Sequence, residues 1–274
     1  MKTGIFNKST SRFFLQAIIV FAVFMSLLLL WEAISFFGIL NPSLISRPSE
    51  IFLDMWKLFL KRSPAAQSVL LVHIYSSLYR LFLAFSLAAG VGISLGILMG
   101  YSQRIRWFLE PLITLAMPVP GIAWAPIFMI WFGFGDPTII SVGALAAFFP
   151  IVYNTTTGVR SIEKEFIWAA RSMGADRKTI FFKVLLPSSA PYIFTGFKLG
   201  LARGWRTIIA VEMIAASLWG LGFMIFDARD YLRPSIIYGG IIILAVVYLF
   251  IEGLVKLVER RTIAKWGMVR PEAM

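Results

Sequence analysis

The feature that most constrains this chain is a succession of apolar stretches, each long enough to cross a lipid bilayer and separated by polar turns. A helix rises about 1.5 Å per residue, so about 20 apolar residues cross a hydrocarbon layer roughly 30 Å thick. Stretches of that length fall at residues 13–37, 69–101, 112–134, 139–157, 192–218 and 236–257. Of the 274 residues, 59% are hydrophobic and 15% charged, too little polar surface to clothe a water-soluble domain of this size. The sequence predicts an all-α, polytopic membrane protein with about six transmembrane helices.

Several function classes fall away. The net charge of +12 would suit nucleic acid, but the basic residues sit between and beyond the apolar stretches and form no stripe on a soluble face. They suit the positive-inside rule and anionic lipid headgroups instead, so nucleic acid is not an expected partner. With no cysteine there is no disulfide framework or thiolate site, and a single histidine, His73, excludes a multi-histidine metal centre. His73 itself reads as a structural or interfacial side chain. Lys2, Lys8 and Arg12 ahead of an apolar run resemble a signal peptide, but the run reaches about Leu40. That exceeds the roughly 7–15 residues of a signal core, so it is expected to stay as the first span.

The loops set an orientation. The N-terminal segment 1–12, the turn with Arg104 and Arg106, the region 158–189 and the tail 258–274 with Arg260, Arg261, Lys265 and Arg270 are rich in Lys and Arg. The turns near Asp136 and Asp227 are poor or balanced. Alternation over six spans outvotes Arg47, Lys57, Lys61 and Arg62 in the segment 41–68, and both termini are expected to be cytoplasmic. Within 41–68, Pro48-Ser49-Glu50 starts a helix whose Ile51, Phe52, Met55, Leu58 and Phe59 recur at helical spacing. An outer interfacial helix anchored by Trp56 is expected there.

Inside the spans, Gly92, Gly96 and Gly100 lie four apart, as do Gly196, Gly200 and Gly204. Such stripes admit a neighbouring helix at close range; for the second stripe, a subunit contact lining a pathway is the sharper alternative. Pro118, Pro120 and Pro126, with Trp124, predict a gate or break beside a pathway, with ordinary kinking as the plain alternative. Lys198 is near enough to the cytoplasmic end of its span to snorkel. Arg203, Arg206 and Glu212 are deeper and must face protein or water. They read either as a cationic path for a small anion or as Arg203 and Arg206 pairing with Glu212.

The longest polar interruption of the second half is IWAARSMGADRKTIFFKVLLPSSAP, residues 167–191. Residues 162–173 are helical in character, Gly174 supplies a turn, and Asp176 caps a second helical segment over 178–184. Pro187 is expected to break the chain before the next span. Ala169-Ala170, then Gly174, then Val184-x-Leu186-Pro187 resembles the "EAA" loop of permease subunits of ATP-binding-cassette (ABC) importers. The likeness extends to Ser77-Leu-Tyr-Arg80, Leu95 to Gly100, Pro126 to Gly133, Phe148 to Ile151 and Ala210-Val-Glu-Met213. Together these resemble the nitrate/sulfonate/taurine branch of such permeases, from about Asn41 to Trp266. One departure stands out: Trp168 occupies the place where the family usually has Glu.

The resemblance implies a type I importer permease fold and a translocation pathway for a small solute such as a sulfonate, taurine or nitrate. It also implies that Trp168, Ala169, Ala170, Arg171, Gly174, Ala175, Asp176, Leu186 and Pro187 form a loop that docks on a cytoplasmic ATPase. The implied partners are two ATP-binding subunits, which would hold ATP and Mg, a second permease copy and an extracytoplasmic solute-binding protein. The chain carries no Walker-type phosphate loop and no convergent catalytic set, so it is expected to hydrolyse nothing itself and to hold no cofactor. A secondary carrier driven by an ion gradient is the rival, and would usually show internal repeats.

Overall fold

The computed structural model describes residues 5–38, 41 and 44–263. The first four residues, Pro42, Ser43 and tail residues such as Lys265 and Arg270 lie outside the described residues. The architecture is helical throughout. Five helices among the described residues are long and apolar enough to cross a membrane. They belong to α1 (Ile5–Phe36), α3 (Val69–Tyr101), α6 (Asp136–Arg160), α9 (Leu186–Ala215) and α11 (Pro234–Ile263). The expected interfacial helix is α2 (Pro48–Leu60). Its Asp54 accepts a hydrogen bond from Ser235 at the start of α11, at 2.6 Å.

The stretch 112–134 is not one straight span. It is α4 (Gln103–Ala116) followed, after a break, by a 3-10 turn (Gly121–Trp124) and α5 (Ala125–Phe132), bent by 99°. Pro118 and Pro120 lie in the break, where the absence of a backbone N–H costs no helical bond, and Pro126 lies in the first turn of α5. Arg104 and Arg106, expected in a turn, are in the first turn of α4, because Ser102 caps α4 through its side chain directly after α3 ends.

The core is α6, held between α3 and α9. A Cβ built on Gly92, Gly96 or Gly100 would lie 2.9 Å from Ile151 Cγ2, 2.5 Å from Thr155 Cβ and 2.5 Å from Val159 Cβ, respectively. On another side, one on Gly200 would lie 2.9 Å from Ala147 O, and one on Gly204 3.3 Å from Ala147 Cβ. Gly196 likewise meets Asn154 and Ile151. The second stripe therefore packs on α6, not on another subunit. α6 returns the favour with its own Gly143, against Ile208, and Gly158, against Tyr192. Without a hydrophobic drive between helices in lipid, such close approach is what holds spans together.

The register fixes direction. On α3 and α6, contact partners rise together from Gly92 and Ile151 to Gly100 and Val159, so the two helices run parallel. On α9, Gly196, Gly200 and Gly204 meet progressively earlier residues of α6, so that pair is antiparallel. Two parallel neighbours require the chain between them to return from one end to the other. Residues 102–135 make that return, so the broken α4–α5 element is the sixth crossing.

Gly96 and Gly90 provide a matched test. A Cβ at Gly96 collides with Thr155 Cβ and lies 2.9 Å from Val152 O, whereas one at Gly90 meets nothing within 4 Å. Gly96→Leu should cost at least the ~1–3 kcal/mol typical of overpacking. Gly90→Ala should leave stability unchanged or raise it by up to about 1 kcal/mol. Thermal unfolding of the detergent-solubilised protein would separate the two.

Candidate functional site

Three features carry polar groups that the packing alone does not require. The first is the elbow between α6 and α9. α7 (Lys164–Ser172) ends in a left-handed turn at Gly174, with φ +82°. Gly174 N–H donates to Arg171 O at 2.9 Å and Ala175 N–H to Ala170 O at 3.0 Å. That pair of bonds is a Schellman cap, which satisfies carbonyls left over at the helix end. Asp176 caps the next turn, α8 (Arg177–Ile180), accepting from Thr179 N at 2.9 Å. The Thr179 side chain and backbone N–H hold the Asp176 carboxyl below its ordinary value. A depressed carboxyl contributes its cap above the unfolded value and loses it as pH falls through the folded one, so the cap is intact at neutral pH.

Ala170, Ile180 and Leu185 form a small core of their own, with Ile162, Ile167, Ala175, Phe181 and Val184 packed around it. Phe166, Trp168, Met173 and Phe182 stay exposed on the same unit. Pro187 does not break the chain. Residues Phe181–Leu185 form a π turn, and the helix continues through it into α9, giving one run from Arg177 to Ala215. The wider turn relieves the clash between a proline ring and the carbonyl four residues back. Leu186 and Pro187 thus sit inside a continuous helical connection between elbow and span.

The second feature is a cavity of about 400 Å³ at the proline break. Pro118, Pro120 and Trp124 line one side, and Arg203, Arg206 and Thr207 of α9 another. The expected pathway residues Pro118, Pro120, Trp124, Arg203 and Arg206 are thus brought together; Pro126 is not among the lining residues.

Glu212 is elsewhere, in the third feature, and is not the partner of Arg203 or Arg206. It is fully buried and pairs with Arg80 of α3, whose Nη1 lies 2.7 Å from Glu212 Oε1. Arg80 also reaches Asp136 at the start of α6, Nη2 to Oδ1 at 2.8 Å, and donates to Trp219 O at 2.7 Å. Ser77 Oγ lies within 2.9 Å of both Glu212 oxygens. The N-terminal N–H groups of α10 (Leu221–Asp230) complete the set: Leu221 N donates to Ser77 Oγ and Gly222 N to Glu212 Oε2, each at 2.9 Å. A helix N-terminus favours such a carboxylate. His73 is buried here, with Nδ1 3.1 Å from Gly220 N. One polar knot therefore ties α3, α6, α9 and α10 together at the end away from the elbow.

Two parts of this knot escaped the sequence reading. Arg80 was visible only as part of a motif, with nothing to mark its acidic partners. The turn of balanced charge expected near Asp227 is instead the helix α10, whose Leu221, Met224, Ile225 and Ala228 are buried at helical spacing. That spacing was the available signal.

These features define a polytopic helical permease: a packed bundle with a polar cavity at a broken span and a folded elbow at one end. Residues 92–264 match the family described as binding-protein-dependent transport system inner membrane component. The chain is 35% identical to the taurine transport system permease protein TauC of Escherichia coli over 246 residues, covering 89% of this chain and 88% of that one. It is 34% identical to a putative aliphatic sulfonates transport permease protein of Bacillus subtilis, covering 86% and 83%. It is also 34% identical to the nitrate import permease protein of Leptolyngbya laminosa, covering 79% and 78%. Among solved structures, an inward-facing form of the MetNI methionine ABC transporter aligns with a TM-score of 0.57 and 18% identity, over 72% of this chain and 99% of that one. The last shows shared fold alone. The chain belongs to the binding-protein-dependent transport system inner membrane components.

The knot makes a direct prediction. Glu212→Ala takes away Arg80's buried carboxylate, leaving it the half-exposed Asp136, and orphans the buried Ser77 hydroxyl and Gly222 N–H, so it should cost about 3–5 kcal/mol. Asp136 is half exposed, so Asp136→Asn should cost no more than about 1 kcal/mol. Comparing the unfolding midpoints of the two variants in detergent checks the ranking.

Proposed function

We propose that this permease imports a small anion, a sulfonate being the leading candidate, on energy from ATP hydrolysed by two cytoplasmic subunits that dock on the elbow. The observation that carries this reading is the elbow's construction. It is capped at Gly174 and Asp176, has its own apolar core, exposes Trp168, Phe166, Met173 and Phe182, and joins α9 without a break. An inert loop on the membrane surface needs none of that rigidity. A push on such a unit moves α9 as one rod, carrying Arg203 and Arg206 with it. Trp168, in the place where the loop motif implies Glu, gives the docking face an apolar contact in place of a charged one.

The elbow end is rich in Lys and Arg, which supports placing it, and both chain termini, in the cytoplasm. The opposite end, with α2 and α10, then meets the extracytoplasmic solute-binding protein. A second permease copy completes the pathway, and ATP and Mg are held by the ATP-binding partners. That TauC and the Bacillus subtilis and Leptolyngbya relatives are named for taurine, sulfonates and nitrate supports a small anion as solute.

Purification of the tagged chain from its native membrane in mild detergent tests the reading. The expected outcome is a stoichiometric ATP-binding subunit and measurable ATP hydrolysis. Both should be lost in Gly174→Val, since a β-branched residue resists φ +82°, while the bundle's unfolding midpoint is retained. Recovery of the intact wild-type chain alone, with no ATPase activity, would overturn the reading in favour of an ion-driven carrier.

A further inference from the structure

We infer that the cavity at the proline break is an oxoanion-binding site belonging to this subunit, so that the permease itself selects for the anion. The inference rests on the importer reading above and adds a site to it.

Arg203 and Arg206 stand nine to twelve residues before the end of α9 at Ala215. At about 1.5 Å per residue that is roughly 14–18 Å, near the middle of a bilayer about 30 Å thick. Snorkelling from that depth is costly, and an ionised group there needs a partner or water. Three acids on α9 or on the facing helix α11 are already engaged with other cations. Glu212 is held by Arg80 at 2.7 Å, Glu259 by Lys198 at 2.9 Å, and Glu252 by Lys256 at 2.7 Å. Arg206 Nε donates to Ala202 O of its own helix, at 3.0 Å, and neither guanidinium has a salt bridge within the described residues.

Both arginines line the cavity, and no Asp or Glu does. Three residues apart on one helix, they share a face. Thr207 adds a hydroxyl, and Trp124 also lines the space, its buried Nε1–H without a partner. The break supplies room on the other side: with Pro118 and Pro120 there, the chain turns away and α4 does not fill the space in front of the arginines. A guanidinium presents a planar fork of N–H donors that matches paired charged oxygens, which a spherical halide lacks. At about 400 Å³ the cavity is within the range of small-ligand sites and takes a nitrate or an alkylsulfonate with room for its tail.

The test measures thermal unfolding of the detergent-purified transporter with ethanesulfonate, nitrate, chloride at matched ionic strength, and the neutral dimethyl sulfone. Expected is a saturable rise in midpoint with ethanesulfonate or nitrate and none with chloride or dimethyl sulfone. Arg203→Gln and Arg206→Gln should each raise the half-saturating concentration by about ten-fold or more, and Arg206→Lys by less, since it keeps the charge but loses the fork. Tighter binding of ethanesulfonate than of nitrate would assign an organic sulfonate, and the reverse an inorganic oxoanion. No saturable shift in the wild type, an equal shift with chloride, or unchanged affinity in folded Gln variants would overturn the site. Should the Gln variants fail to fold, the wild-type comparison and the Lys variant decide. The shift is read on the permease with or without its ATP-binding partner, so loss of that partner counts against the importer reading and loss of the shift against this site.

Discussion

Close backbone approach around α6 is the constraint on which the rest of the structure depends. In lipid, apolar side chains gain little by leaving one hydrocarbon environment for another, so spans associate through packing and polar contacts. Gly92, Gly96 and Gly100 on one side and Gly196, Gly200 and Gly204 on another let α3 and α9 close on the same helix. That arrangement sets the parallel pairing of α3 with α6. The parallel pairing in turn obliges the chain to cross back through the broken α4–α5 element and so creates the cavity at its prolines.

The two ends of the bundle are fastened differently. At one end, buried Arg80, Glu212 and Ser77, with the half-exposed Asp136, form a charged knot that pins four helices, and removing Arg80 would leave the buried Glu212 without a countercharge. At the other, the elbow is held by local caps and a small apolar core, and is joined to α9 by a π turn. A rod pinned at its far end and driven at its near end is suited to tilting about its glycine contacts. Arg203 and Arg206 lie between those two ends, beside the cavity.

Much of this was legible in the chain. The elbow could be read almost completely, because caps and turns are local: Gly174 and Asp176 act on residues within a few positions of themselves. The glycine stripes were legible as packing faces by their spacing, though not by their partners. Pro187 misled, because a proline ordinarily ends a helix and nothing nearby signals the wide turn that lets the helix pass. The stretch 112–134 misled through its apolarity, which allowed a straight span while its prolines allowed a sharp bend.

The sequence by itself determined the class of protein, the number of crossings, the elbow and its caps, and the family, since these follow from hydropathy, helical periodicity and short motifs. The tertiary structure alone decided which charges meet. Glu212 could have neutralised Arg203 and Arg206 on its own helix, but pairs instead with Arg80, 132 residues away. Where α9 packs on α3 and α6, Glu212 faces inward toward Arg80 while the two arginines face the cavity. Helical spacing shows which residues share a face, but only packing shows what that face meets.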